Sequence, residues 1–326
     1  MAAITLLEAI RQGIWEEMER DQSVFLLGED IGVYGGAFKV TEGFYERFGE
    51  ERVIDTPISE TAIVGAACGA AMMGMRPIAE MQFIDFISCA FDMLTNFAAK
   101  SRYRQGIGIP IVVRGPCGGG VHAGPFHSQN VESFFLNTPG LKMVEPSTPY
   151  DAKGLIKSAI RDDDPVLFFE HKLLYRNPKI KQEVPSDDYV VPIGKATVRR
   201  PGRDLSIITY GAMVYTALDA ADTLQQEGID TEIIDLRSLN PLDRGAVSET
   251  VKKTNKVIIL HEATRTGGIA GELTAIINEE AFDHLDGPIV RVTSIDTPVP
   301  YAPPLEECFL PQVDDVLKAA RSLAAY

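Results

Sequence analysis

Cysteine is scarce in this sequence: Cys68, Cys89, Cys117 and Cys308 are the four present, and no two form a CxxC pair. That excludes a disulfide scaffold and a structural zinc site. It points to a reducing compartment, either a bacterial cytoplasm or a mitochondrial or plastid matrix reached after processing. Three of the four lie in apolar or glycine-rich surroundings, where a free thiol behaves as a small hydrophobe. Long apolar runs are also missing, and none reaches membrane-spanning length. The N-terminus opens on a Thr5/Glu8 capping box and continues through Glu16, Glu17 and Glu19, which suits neither a signal peptide nor a transit peptide. Basic residues are outnumbered, 31 Lys and Arg against 46 Asp and Glu, for a net charge of −15. Such a surface repels phosphate backbones and anionic membranes, so no nucleic acid and no membrane is expected as partner, while a basic protein remains possible. The GK[ST] ending of a P-loop and the GxGxxG dinucleotide fingerprint are both absent.

What is present is a regular alternation. The 326 residues are enough for two domains. Strands are expected at Val24–Leu27, Arg52–Ile54, Pro77–Met81, Pro110–Val113, Lys142–Val144 and Val166–Phe169. Helical patterns lie between them: one from Ser59 to Met73, one carrying Phe91, Leu94, Phe97 and Ala98, and one opening at Thr148 with Pro149 at its first position. Apolar strands alternating with helices imply α/β architecture with a parallel, doubly wound sheet. Residues 178–202 hold Pro178, Pro185, Pro192 and Pro201 among many charges and read as a linker. The alternation then resumes at Leu205–Thr209, Thr231–Ile234, Val257–Leu260 and Ile289–Val292. The expectation is two doubly wound domains, residues 1–177 and 203–326.

Three stretches carry candidate chemistry. Glu60 opens a helix at the carboxyl end of a strand, where open α/β sheets bind ligands; taken as an isolated acid, complementing the helix dipole is the more ordinary reason for it. Phe83 and Phe86, after the strand ending near Met81, suit either an apolar pocket wall or the core. The loop from Arg114 to Gln129 is dense in glycine and holds two of the five histidines, His122 and His127. Their spacing permits a metal pair, but no Asp, Glu or Cys set completes a site, and proton transfer fits better.

These residues resemble a known family. The run from Asp55 to Phe86 (DTPISETAIVGAACGAAMMGMRPIAEMQFIDF), His127-Ser128-Gln129, and the run from Pro139 to Arg176 look like the β subunit of the decarboxylating first component of 2-oxo acid dehydrogenase complexes. TYG at Thr209, DLRSLNPLD at Asp235, HEATRTGGIAGEL at His261 and DTPVPYA at Asp296 extend the likeness over essentially the whole chain. The resemblance implies an N-terminal pyrimidine-binding domain and a C-terminal transketolase-like domain. It also implies thiamine diphosphate shared with an α subunit in an α2β2 heterotetramer. The GDG motif that helps hold Mg²⁺ and the diphosphate is absent here, so the resemblance places Mg²⁺ on the α subunit.

Residue roles follow from the same resemblance. Glu60 matches the catalytic glutamate, which hydrogen-bonds a pyrimidine nitrogen and favours the tautomer that deprotonates the thiazolium carbon; Ile58, Ile63 and Phe86 would raise its pKa. Ile58, Gln82 and Phe86 match cofactor-contacting positions. His127 matches the catalytic histidine that protonates the opening dithiolane of the lipoyl group. His122 is expected near the substrate carboxylate, and His261 is given a domain-docking role. Ile111, Val112, Ala159, Asp162 and Asp164 match a structural K⁺ site, with a plain acidic turn as the alternative. The lipoyl-bearing acyltransferase core, through its peripheral-subunit-binding domain, is the further partner. FFEHKLLY resembles pyruvate- and acetoin-type subunits, whereas QFIDF and PFHSQNVESFF lean toward branched-chain ones. Half of a split transketolase is the competing enzyme reading, and a non-catalytic docking subunit the non-enzymatic one.

Overall fold

The computed structural model describes residues 3–326, which divide into two compact units. Residues 1–117 and 134–193 form the first, and residues 118–133 and 194–326 the second.

The first unit runs α1 (Leu6–Arg20), β1 (Val24–Gly28), α2 (Phe44–Phe48), β2 (Val53–Asp55), α3 (Glu60–Met72), β3 (Arg76–Glu80), α4 (Ala99–Gln105), β4 (Val112–Cys117), β5 (Lys142–Val144), α5 (Pro149–Arg161) and β6 (Val166–His171). Its strands lie in the order β5-β6-β4-β3-β1-β2, and every pairing is parallel. Strands β1, β4 and β6 are buried at every position, as expected of strands covered on both faces. The Thr5/Glu8 capping box forms and starts α1. Thr148 caps α5 with Pro149 at its first position. Helices α1 and α5 approach so closely at Gly13 that a Cβ there would lie 2.4 Å from Ile156. Beside them the fully buried Glu17 pairs with Arg161 at 2.6 Å and Arg20 at 2.7 Å.

Two expectations are corrected here. The helix expected through Phe91–Ala98 forms, but it follows a 3₁₀ stretch, Ile84–Ala90, and winds as a π-helical turn over Met93–Ala98 before α4. The Ala99 N–H reaches back five residues to Leu94 O, and Phe91, just ahead of this turn, is 43% exposed. Strand β4 begins two residues later than expected and continues through Arg114. A charged residue reads as a strand end, but Arg114 is neutralised inside the sheet.

The second unit continues β7 (Thr197–Arg200), β8 (Leu205–Thr209), α6 (Met213–Gln226), β9 (Thr231–Asp235), β10 (Ser238–Asn240), α7 (Arg244–Thr254), β11 (Val257–Thr264), α8 (Ala270–Ala281), β12 (Val290–Ser294), α9 (Pro303–Phe309) and α10 (Val313–Ala324). The order β12-β11-β8-β9-β7 is parallel except for the edge strand β7. Strand β7 thus lies in the proline-rich segment, which the units divide after Ile193. Cys68 and Cys117 are buried, Cys89 and Cys308 exposed, and all four are free thiols. Among the described residues no helix is long and apolar enough to cross a membrane.

Candidate functional site

In the first unit the chemistry gathers at the carboxyl ends of β1, β2 and β3. Residues Thr56–Ser59 leave β2, and Glu60 is the first residue of α3. Ser59, at the N-cap, makes no side-chain cap bond, so the carboxylate of Glu60 sits at the positive end of the helix. Ile58 is 82% exposed, whereas Ile63 is core. Strand β1 delivers Glu29 to the same end. Burial, then the negative charge of Glu60, then that of Asp30 push the Glu29 carboxyl above the ordinary range. Sequence reasoning missed Glu29, because an acid after a buried strand gave no signal of its own. Gln82 donates to Asp30 at 3.3 Å, next to the end of β3.

The two phenylalanines separate. Phe83 packs edge-on against Phe38 at 5.6 Å, and Phe38 lies 5.4 Å from Tyr175. Phe86, two residues into the 3₁₀ stretch, is half-buried. Beneath them Arg114 joins Glu170 through Nε–Oε1 at 2.5 Å and Nη2–Oε2 at 2.6 Å, and its Nη1 donates to Glu80. Tyr175 donates to Glu170 at 2.5 Å. Burial pushes the Glu80 carboxyl up despite Arg114, and raises the Tyr175 hydroxyl strongly. An acid on a helix N-terminus, a second protonatable acid, an apolar side chain at Ile58 and a ring at Phe86 suit a flat, nitrogen-bearing aromatic such as an aminopyrimidine.

The histidine loop belongs to the second unit, and that unit's carboxylates hold it. Glu262 accepts the Gly119 N–H at 2.6 Å and Asn130 Nδ2 at 2.8 Å. Glu306 accepts the N–H groups of Gly120 and His122, each at 3.0 Å, and lies 2.6 Å from His122 Nδ1. Tyr210 donates to the buried Glu132. Gly124 has φ +72°, and a Cβ there would lie 2.2 Å from the Tyr301 ring, so only glycine fits. His127 follows the 3₁₀ turn Gly124–Phe126 and is half-buried. Among the described residues no group of three His, Cys, Asp or Glu is arranged to hold a metal, so the metal-pair reading gains no support. The acids that hold this loop escaped sequence reasoning because Glu262 and Glu306 lie more than a hundred residues from it.

His261 is completely buried. Its Nδ1 lies 3.1 Å from Ala263 O, and burial lowers its pKa to about 4. It is a packed imidazole held in its uncharged form by burial. At the expected K⁺ positions, Ile111 O accepts the Val166 N–H and Ala159 O accepts the Asp162 N–H, and Val112 is paired within the sheet. Arg76 donates to the carbonyls of Ile160 and Asp162 at 3.0 and 2.8 Å. Lys142 holds the Asp162 carboxylate at 2.7 Å, and Arg102 holds Asp164 at 2.5 Å. Backbone N–H groups thus meet the Ile111 and Ala159 carbonyls, and the chain's own cations meet the oxygens of Asp162 and Asp164.

Known proteins are similar to this chain. Residues 2–178 match the pyrimidine-binding domain of transketolase and residues 194–316 the transketolase C-terminal domain. The 2-oxoisovalerate dehydrogenase subunit beta of Bacillus subtilis (strain 168) is 54% identical, covering all of both chains. The pyruvate dehydrogenase E1 component subunit beta of the same organism is 45% identical over all of both chains. The subunit of that name from Chaetosphaeridium globosum is 48% identical over 99% of each. A split-gene transketolase, solved as an inactive beta4 tetramer, superimposes with a TM-score of 0.81 over 99% of each chain at 24% identity, a likeness of fold. The chain belongs to the transketolase-like family of 2-oxo acid dehydrogenase β subunits.

Proposed function

We propose that this chain is the β subunit of a thiamine-diphosphate-dependent 2-oxo acid dehydrogenase, acting on branched-chain 2-oxo acids ahead of pyruvate. The observation that carries the substrate preference is the identity gap within one organism, 54% to the 2-oxoisovalerate enzyme's subunit against 45% to the pyruvate enzyme's.

The cofactor would be shared with an α subunit in an α2β2 assembly, with the diphosphate and Mg²⁺ held on the α chain. When bound, thiamine diphosphate supplies the nucleophilic carbon and the electron sink for decarboxylation. Glu60 accepts a hydrogen bond from the pyrimidine and exchanges a proton at its ring nitrogen. Glu29, kept protonatable by burial, stands beside it as the neighbouring carboxyl. Phe86 and Ile58 exclude water around the ring, and Gln82 completes the contact. His127 holds the proton given to the lipoyl sulfur during acyl transfer. His122 meets the substrate carboxylate. A K⁺ ion at Ile111, Val112, Ala159, Asp162 and Asp164 would have to compete with Arg76 and Lys142, and it has no part in this chemistry.

The acyltransferase core would dock through its peripheral-subunit-binding domain. A net charge of −15 suits a basic partner. The free cysteines fit a reducing compartment, and a bacterial cytoplasm is the proposed one. The test is kcat/KM of the co-expressed α/β pair for 3-methyl-2-oxobutanoate and pyruvate. The branched substrate is expected to win by about tenfold or more, the discrimination that a few methyl groups allow. A preference for pyruvate overturns the assignment.

A further inference from the structure

We propose that the loop from Asp30 to Glu42 is a preformed anchor, and that its clamped ring, Tyr34, seats in an apolar pocket of the chain that completes the cofactor site. That this chain is the α subunit rests on the proposed function; the construction of the loop stands on geometry alone.

The loop leaves β1 after Glu29 and rejoins regular structure at α2. It lies over the strand ends where the cofactor site gathers. The Gly32 N–H donates to Asp55, at the end of β2, at 2.6 Å. A Cβ on Gly36 would lie 3.2 Å from the carboxylate of Glu80, at the end of β3. The loop is tied down along its length. The Gly36 N–H donates to Asp30 O at 2.8 Å. The buried Thr41 donates its hydroxyl to Ile31 O at 2.7 Å. Arg176 donates to Phe38 O at 2.8 Å, and the Phe38 ring packs against both Phe83 and Tyr175. A compact loop closed on itself and packed by its own side chains is of the kind that often carries function. Asp30 and Lys39 hold φ at +55° and +68°, a left-handed backbone that non-glycine residues keep only where their surroundings impose it.

What this construction displays is apolar. Val33 is 73% exposed and Tyr34 58%, and Ala37 is exposed beside them, while Ile31, Val40 and Thr41 are buried. The Lys39 amine lies over the Tyr34 ring, 3.4 Å from its centroid, and also donates to the Tyr34 carbonyl. The ring is therefore both solvent-facing and held from one side. An aromatic fixed in advance loses little entropy on binding, and tyrosine is among the residues that carry most interface energy. The cofactor site at the same strand ends is open, with Ile58 82% exposed on the segment leaving β2. A chain that brings the other half of that site must approach the ends of β1, β2 and β3, and there it meets this loop. That continuity selects the α subunit as occupant over a second copy of this chain.

The test uses the co-expressed α/β enzyme. Tyr34→Ala removes the ring, and Val33→Asp sets a charge beside it. Both positions face solvent, so the chain keeps its fold, which thermal unfolding of each variant chain verifies. In sedimentation velocity over a dilution series, the dissociation constant of the assembled enzyme rises about tenfold for Tyr34→Ala and at least as much for Val33→Asp. With the α chain in excess, kcat of the Tyr34→Ala pair returns to within about twofold of wild type, as a pure assembly defect requires. Hydrogen exchange at residues 33–37 of the wild-type chain slows when the α chain binds. A dissociation constant unmoved by both substitutions, in a pair that turns over 2-oxo acid, overturns the anchor. A kcat that stays low at full assembly overturns it as well, by placing Tyr34 in the chemistry. Weakened self-association of the chain alone, with α binding unchanged, gives the tip to a second copy and overturns the occupant. If the wild-type pair assembles but turns over no 2-oxo acid, the proposed function fails, and the dilution and exchange measurements still decide whether the loop meets the α chain.

Discussion

Arg114 and Glu170 face each other across adjacent parallel strands, their side chains 1% and 0% exposed, joined by two charge-assisted hydrogen bonds of 2.5 and 2.6 Å. Glu80 takes the remaining arm of the guanidinium, and Tyr175 donates to Glu170. One cation thus serves two buried acids at the strand ends that lead into the candidate cofactor site.

Removing that cation leaves two buried carboxyls without their partner. Arg114→Met is expected to lower the unfolding free energy by about 3–5 kcal/mol, the range for breaking a buried ion pair from one side. Chemical denaturation of the full chain measures it. A loss below about 1 kcal/mol would show that the carboxyls relax to water or to their neutral forms at little cost.

His261 gives the second unit a pH dependence. Its ordinary pKa of 6.5 is lowered to about 4 in the fold, first by burial, so the unfolded chain binds the proton more readily. Stability is therefore fully present above pH 6.5 and falls as the pH drops toward 4, by as much as about 3 kcal/mol at the lower end. His261→Gln should flatten that slope in urea titrations between pH 4 and 7. An unchanged slope would move the titration to another group.

The His127 assignment predicts a split between half-reactions. His127→Ala in the α/β enzyme should reduce lipoyl acylation by about 100-fold, the scale of one general acid. Decarboxylation read with an artificial electron acceptor should change much less. Equal losses in both assays would reassign His127 to cofactor or substrate binding.

Much of this architecture was legible because the physics is local. Continuous apolar strands such as Val24–Gly28 and capped helices at Thr5 and Thr148 announce a parallel α/β fold through periodicity and end chemistry. The position of Glu60, at a strand-to-helix junction, was legible as well. The rest depended on residues far apart in the chain. The histidine loop joins the second unit through Glu262 and Glu306, 143 and 186 residues beyond the glycines they bind. Strand β4 continues through Arg114 because Glu170, 56 residues on, neutralises it. The π-helical turn at Met93–Ala98 had no signal, because its apolar residues keep a helical spacing while its hydrogen bonds reach one residue further.

In the proposed enzyme this chain brings the activating acid and a partner chain brings the rest of the cofactor site. Hydrogen–deuterium exchange at the thiazolium carbon of thiamine diphosphate tests it directly, with three samples: the chain alone, the α/β pair, and the pair carrying Glu60→Gln. The pair should accelerate exchange by about 100-fold or more over free cofactor, as proton transfer by a positioned group does. The chain alone and the Glu60→Gln pair should stay near the rate of free cofactor. Fast exchange on the chain alone would contradict the split site, and fast exchange in the Glu60→Gln pair would contradict the role of Glu60.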